Sequence, residues 1–316
     1  MTINVDFTKG AVNSLPAAGG PTTYGPDGVE FTVASSGQAP QVASLFYIMF
    51  GRVEITMKAA PGAGIVSSVV LESDDLDEID MEWVGGDSAQ VQTNYFGKGF
   101  TGDYDRGEFN PAADNQNQFL TYIIDWTSER VVWSVGGTVV RTLKIDDAKG
   151  QYPQSPMQVK FGAWSGGDAA NDPGTIEWAG GPTDYSKGPF TMTVKSVSIT
   201  DYSTGDSYSY GDQSGSWQSI VSHGGEINGN LGDAGDLSVT ASAAAATGVS
   251  PSVPAGGIGT GGTATAAPAD AIPSGWRMTP EGKIVPNVSS AIKIPNLLLV
   301  SVPLLTGALT AASWLL

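Results

Sequence analysis

The chain has 316 residues, of which 41% are hydrophobic, 42 are glycine and 19 are proline, so one large domain or two ordinary ones with many turns can be built from it. A formal net charge of −17 excludes charge-driven binding to nucleic acid or to an anionic membrane surface and favours a neutral polymer such as a polysaccharide. With no cysteine and one histidine, His223 in a Gly-rich stretch, disulfides, thiolate metal sites, and triads or histidine metal centres elsewhere in the chain are excluded, and no metal or cofactor is expected.

Residues 1–222 read as short β-rich segments separated by turn residues, without a helical period among them. In chain order the pattern predicts strands at 29–33, 51–58, 65–71, 77–84, 119–126, 131–135, 138–143, 158–164 and 191–201. Gly136-Gly137 supplies a two-residue hairpin turn between two of them. A single sheet of that many strands would leave a broad apolar face wet. The expected fold is therefore all-β, a two-sheet sandwich, with a barrel as the other closed solution.

From 223 to 296 the expectation is a flexible stalk, because 237–269 has neither a charged nor an aromatic residue and cannot bury enough surface to offset its ordering entropy. The last segment, 297–316, is uncharged and long enough to cross a bilayer. It fits a permanent tail anchor or the discarded end of a GPI attachment signal, and the Ser/Thr/Ala-rich stretch before it favours the second. Attachment would fall at Asn287-Val288-Ser289 or Ser289-Ser290-Ala291. Met1 to Asp6 has neither the basic start nor the apolar core of a signal peptide, so the expectation is a chain truncated at its start.

The most informative run is Asp77-Glu78-Ile79-Asp80-Met81-Glu82-Trp83. On a strand it sets three carboxylates on one face and three apolar side chains on the other. Crowded like charges raise each other's pKa values, and carboxylates with separated protonation states are what glycosidic bond chemistry needs. Glu78 and Glu82 would stand about 13 Å apart at the backbone. A retaining pair works at about 5–5.5 Å, so the side chains must lean inward over Asp80. Asp74, Asp75 and Asp77 lack the pattern of a calcium loop and read as turn residues.

Around this run, Trp83-Val84-Gly85-Gly86-Asp87, Gln92-Thr93-Asn94-Tyr95-Phe96-Gly97-Lys98-Gly99, Gly51-Arg52-Val53-Glu54, Tyr122-Ile123-Ile124-Asp125-Trp126-Thr127 and Gly174-Thr175-Ile176-Glu177-Trp178-Ala179-Gly180-Gly181 complete a pattern. Over about residues 5 to 202 the chain resembles the fungal Crh-type chitin–glucan transglycosylases of glycoside hydrolase family 16. The resemblance implies a curved β-jelly-roll with an open cleft, Glu78 as nucleophile, Glu82 as general acid/base and Asp80 as their helper. It also implies chitin and β-glucan as polysaccharide partners, a monomer, and a cell-surface location through a GPI anchor.

Sugar sites need flat apolar platforms beside hydrogen-bonding groups. Trp164 and Trp178, in loop-like settings, are placed in the cleft, whereas Trp126 and Trp133 inside alternating strands are placed in the core. Gln92 and Asn94 could bind sugar hydroxyls, and the matching stretches add Tyr95, Lys98 and Glu177 to the expected substrate contacts. A plain β-glucanase or chitinase and a non-catalytic wall lectin or structural protein are the competing functions.

Overall fold

The computed structural model describes residues 1–100, 106–233, 238–241, 276–278 and 284–286. Alternation of buried and half-exposed residues generates its strands. Gly51–Lys58, for example, buries every second side chain without a break. The strands in chain order are β1 (Thr2–Asp6), β2 (Ala17–Ala18), β3 (Thr22–Gly25), β4 (Gly28–Val33), β5 (Gln41–Ala43), β6 (Gly51–Lys58), β7 (Ile65–Ser73), β8 (Glu78–Val84) and β9 (Gln90–Phe96). There follow β10 (Glu108–Pro111), β11 (Leu120–Trp126), β12 (Arg130–Val135), β13 (Thr138–Lys144), β14 (Met157–Ser165), β15 (Phe190–Asp201), β16 (Ser207–Tyr210), β17 (Ile220–His223) and β18 (Ser238–Thr240). All nine predicted strands form, and Gly136 and Gly137 take the positive φ angles, 57° and 83°, that a tight hairpin requires.

Two sheets make the sandwich. One has nine strands along the path β13-β12-β11-β6-β15-β1-β18, with β3 and β4 attached to β15; the other has seven in the order β10-β9-β8-β7-β14-β5-β2. Between them lies the core, in which Trp83, Trp126, Trp133, Phe31 and Phe161 are fully buried. Two of the three buried indoles place their N–H on a carbonyl: Trp126 donates to Pro153 and Trp133 to Asp80, both at 3.1 Å. The second bond ties the acidic strand β8 to the opposite sheet.

Three features differ from the sequence reading. A short helix, α1 (Pro173–Trp178), interrupts the all-strand pattern, its six residues too few to show a period. The domain edge expected at 222 falls inside β17, and Asn230 is buried with its amide on the Asp201 carbonyl at 2.8 Å. Residues assigned to the stalk also pair: β18 lies parallel to β1, and Trp276–Met278 pairs with Ile284–Pro286. Residues 234–237, 242–275, 279–283 and 287–296 of the expected stalk, the attachment residues at 287–291 among them, and the segment 297–316 lie outside the described residues. Among the described residues no helix is long and apolar enough to cross a membrane.

Candidate active site

The site is built on the outer face of the seven-stranded sheet. Directly opposed residues of antiparallel strands share a face. Register therefore sets rows across it: Ser68, Glu82 and Gln92 in one, Val70, Asp80 and Asn94 in the next, Glu72, Glu78 and Phe96 in the third. Ile79, Met81 and Trp83 point the other way and are fully buried in the core, which locks β8 against a one-residue slip that would invert the ridge.

Above this face α1 brings in an aromatic wall. Its C-terminal end is held down by the fully buried Ala179, whose carbonyl accepts from the Gly64 amide at 3.0 Å. Trp178 thereby stacks on Trp164, with ring centroids 6.2 Å apart and planes 25° from parallel. Its indole N–H donates to the Gln92 side-chain oxygen at 3.2 Å, so the ring bridges β14 and β9 at the Glu82 end. The result is an open cleft of about 490 Å³ lined by Glu78, Asp80, Glu82, Gln92, Asn94, Phe96, Trp164 and Trp178, with Gly107, Asp172, Gly174 and Thr175 at its rim.

Electrostatics differ along the ridge. Asp80 is 1% exposed, and burial, then the charges of Glu82 and Glu78, then a hydrogen bond with Glu78 hold its carboxyl well above the usual range. One of its oxygens, Oδ1, has no hydrogen-bond partner among the described residues. Leaving a buried polar atom unpaired costs about 1–3 kcal/mol. Glu82 is pushed up to about 7, chiefly by burial and by the charge of Glu78. Opposing this, Ser68 Oγ donates to Glu82 Oε1 at 3.0 Å and itself accepts from the Trp164 indole N–H at 2.9 Å. A carboxyl raised to about 7 can give or take a proton near neutral pH.

Gln92, Asn94, Trp164 and Trp178 sit with the ridge, although Trp164 lies within β14 and Trp178 on α1 rather than in loops. Three expected substrate contacts do not. Tyr95 faces the interior at 5% exposure, because it opposes Ile79 and so takes the core parity, with Arg106 and Arg141 over its ring. Lys98 turns away from the cleft to pair with Asp77 and Asp75, so those two aspartates are more than turn residues. Glu177 is exposed on the outer side of α1. Phe96 and Ser68 were missed; each follows from counting by twos, since they occupy the rows of Glu78 and Glu82. His223 is remote, exposed, and bonded to Ser209 Oγ at 2.8 Å.

A sequence profile of the glycosyl hydrolases family 16 matches residues 14–180, more than half of the chain. The chain belongs to glycoside hydrolase family 16. Within it, the chain is 58% identical to "Crh-like protein 4" of Botryotinia fuckeliana over 94% of its own length and 83% of that protein's. It is 52% identical to "Crh-like protein 4" of Aspergillus fumigatus over 89% of its length, but spans only 61% of that relative. Among solved structures, "Crh5 transglycosylase in complex with NAG" superposes with a TM-score of 0.68 at 57% identity, covering 70% of this chain and 92% of that one. The chain is thus a family 16 glycoside hydrolase/transglycosylase of the fungal Crh-like branch, with the all-β sandwich of that group.

Proposed function

We propose that this chain is a retaining β-glycan transglycosylase of the fungal cell wall, which cleaves a chitin-type donor and passes it to β-glucan through a glycosyl-enzyme. The observation that carries the reading is the pairing, in one cleft, of Glu78 with a Glu82 whose carboxyl stays protonated up to about pH 7. Glu78 attacks the anomeric carbon while Glu82 gives its proton to the departing oxygen. Asp80, its carboxyl raised well above the usual range by burial and by the two glutamates, shares a hydrogen bond with Glu78 and holds that group in place. Once the leaving sugar departs, Glu82 is a carboxylate and takes the proton of the incoming hydroxyl.

Transfer outruns hydrolysis only when the acceptor sugar is held well enough to compete with concentrated water. The stacked Trp164–Trp178 pair at the Glu82 end, where leaving group and acceptor exchange, supplies a platform for it. The solved relative carries NAG, the repeating unit of chitin, which supports a chitin-type donor. Attachment of the chain to the cell surface through a GPI anchor is supported by the apolar segment 297–316. Incubation with a chitin oligomer and a fluorescent β-glucan oligomer tests the reading: a fluorescent hybrid product is expected. Hydrolysis alone would make the chain a glucanase or chitinase, and no turnover a wall lectin.

A further inference from the structure

Immediately before the ridge lies a fully buried carboxylate that the chemistry above does not use. Asp77 is 0% exposed and accepts from four donors drawn from two other parts of the chain. The Lys98 amide reaches Oδ1 at 2.8 Å, while the Lys98 ammonium and the amides of Gln154, at 2.6 Å, and Ser155, at 3.1 Å, all reach Oδ2. Facing four donors, one of them an ammonium, the group acts as an acceptor; burial pushes its carboxyl above the ordinary range, and Lys98 with the Gln154 amide pulls it back. Lys98 Nζ also bonds Ser155 Oγ at 2.8 Å and pairs with Asp75 at 3.0 Å.

The two turns that flank the ridge interlock around this carboxylate. In the first, Asp77 N–H donates to Ser73 Oγ at 2.8 Å and Leu76 takes a left-handed φ of 67°. In the second, Lys98 is left-handed too, at 50°, and the Gly99 amide donates to the Leu76 carbonyl at 2.7 Å. Non-glycine residues enter that region at a strain cost, which persists only where surrounding bonds over-determine it. A third layer braces the second: the Trp217 amide donates to Gln154 Oε1 at 3.3 Å, from a part of the chain beyond residues 14–180 that the family profile matches.

Glu78 is the next residue and forms the last rung of the β8–β9 ladder, opposite Phe96. Because side chains alternate along a strand, fixing Asp77 on the inner side fixes the backbone from which Glu78 reaches outward. We infer that Asp77, clamped by Lys98 and the 154–155 amides, is a positioning residue that sets the reach of the Glu78 carboxylate to the anomeric carbon. The inference rests on the reading of Glu78 as nucleophile.

The test uses the full chain with a chitin oligomer as donor and a β-glucan oligomer as acceptor, and repeats it with an aryl chitooligosaccharide whose leaving group needs no protonation. Asp77→Asn is expected to lower kcat about 100-fold with KM changed less than about threefold, the cost of displacing a reacting group by about 1 Å. The deficit is the same on both donors, whereas that of Glu82→Gln shrinks on the aryl donor, because only the acid is bypassed. Lys98→Arg keeps the charge and restores most of the kcat that Lys98→Met loses. Asp77→Asn that melts normally and keeps kcat within about threefold of wild type overturns the inference. Should that variant fail to fold, a folded Lys98→Met with unchanged kcat overturns it instead. Wild type inert on both donors would refute the functional reading of Glu78, a different failure from an active wild type with an indifferent Asp77.

Discussion

Two acidic runs adjoin in this chain and meet opposite fates. Asp74, Asp75 and Asp77 are bound by hydroxyls, amides and an ammonium: Tyr47 OH reaches Asp74 at 2.8 Å, and Lys98 serves the other two. Burial raises the carboxyls of Asp74 and Asp77 as it does those of Asp80 and Glu82, a few residues on, but the second pair are pushed further by the like charges of their own ridge. The first run spends its charge on holding turns together. The second keeps its charge unsettled, as the proposed division of labour between Glu78 and Glu82 requires. What separates the two runs is their partners: a phenol, amides and an ammonium in one, neighbouring carboxylates in the other.

The contrast can be broken from its reactive side first. Glu78→Gln should lower turnover by more than about 10³-fold with an unchanged melting curve, since it removes the nucleophile at constant volume. Retention of most activity would end the role assignment. Next, activity should fall as pH rises through about 7, where Glu82 loses its proton. Ser68→Ala removes a hydrogen bond that favours the charged form, so the alkaline limb should move to higher pH; a shift downward contradicts the account.

The same titration acts on stability. The folded-state pKa of Glu82, about 7, exceeds its ordinary value of 4.5, so the folded chain holds the proton more tightly and this contribution is lost as pH climbs between those two values. Glu82→Gln should therefore flatten the decline in Tm across that window. A smaller effect is expected at the aromatic wall: Trp178→Ala should cut hybrid product about tenfold relative to hydrolysis, in line with loss of roughly 1.4 kcal/mol of acceptor binding. Smallest of all, Tyr95→Phe and Glu177→Ala should leave KM for the donor within about twofold, because neither side chain reaches the cleft.

How far the sequence reveals this architecture depends on the range of the interaction involved. The ridge and its nine strands are legible because alternation is local and repeats every two residues. Tyr95 and Phe96 exchange roles by the same alternation: Phe96 shares the parity of Gln92 and Asn94, and Tyr95, opposite Ile79, takes that of the core. The engagement of Lys98 is hidden in the sequence because its partners Asp77 and Ser155 are 21 and 57 residues away, and nothing nearby marks the ammonium as taken. Trp178 reached the right place by another route: a six-residue helix, not a loop, lowers it onto Trp164.

The central claim is that Glu78 forms a covalent bond to sugar while Glu82 manages the proton. Incubating Glu82→Gln with an aryl chitooligosaccharide and reading peptide masses addresses it directly, since the covalent species accumulates when the group that resolves it is missing. The account predicts the sugar mass on the peptide bearing Glu78 and a product of retained anomeric configuration. Sugar on another residue, or an inverted product, would contradict it.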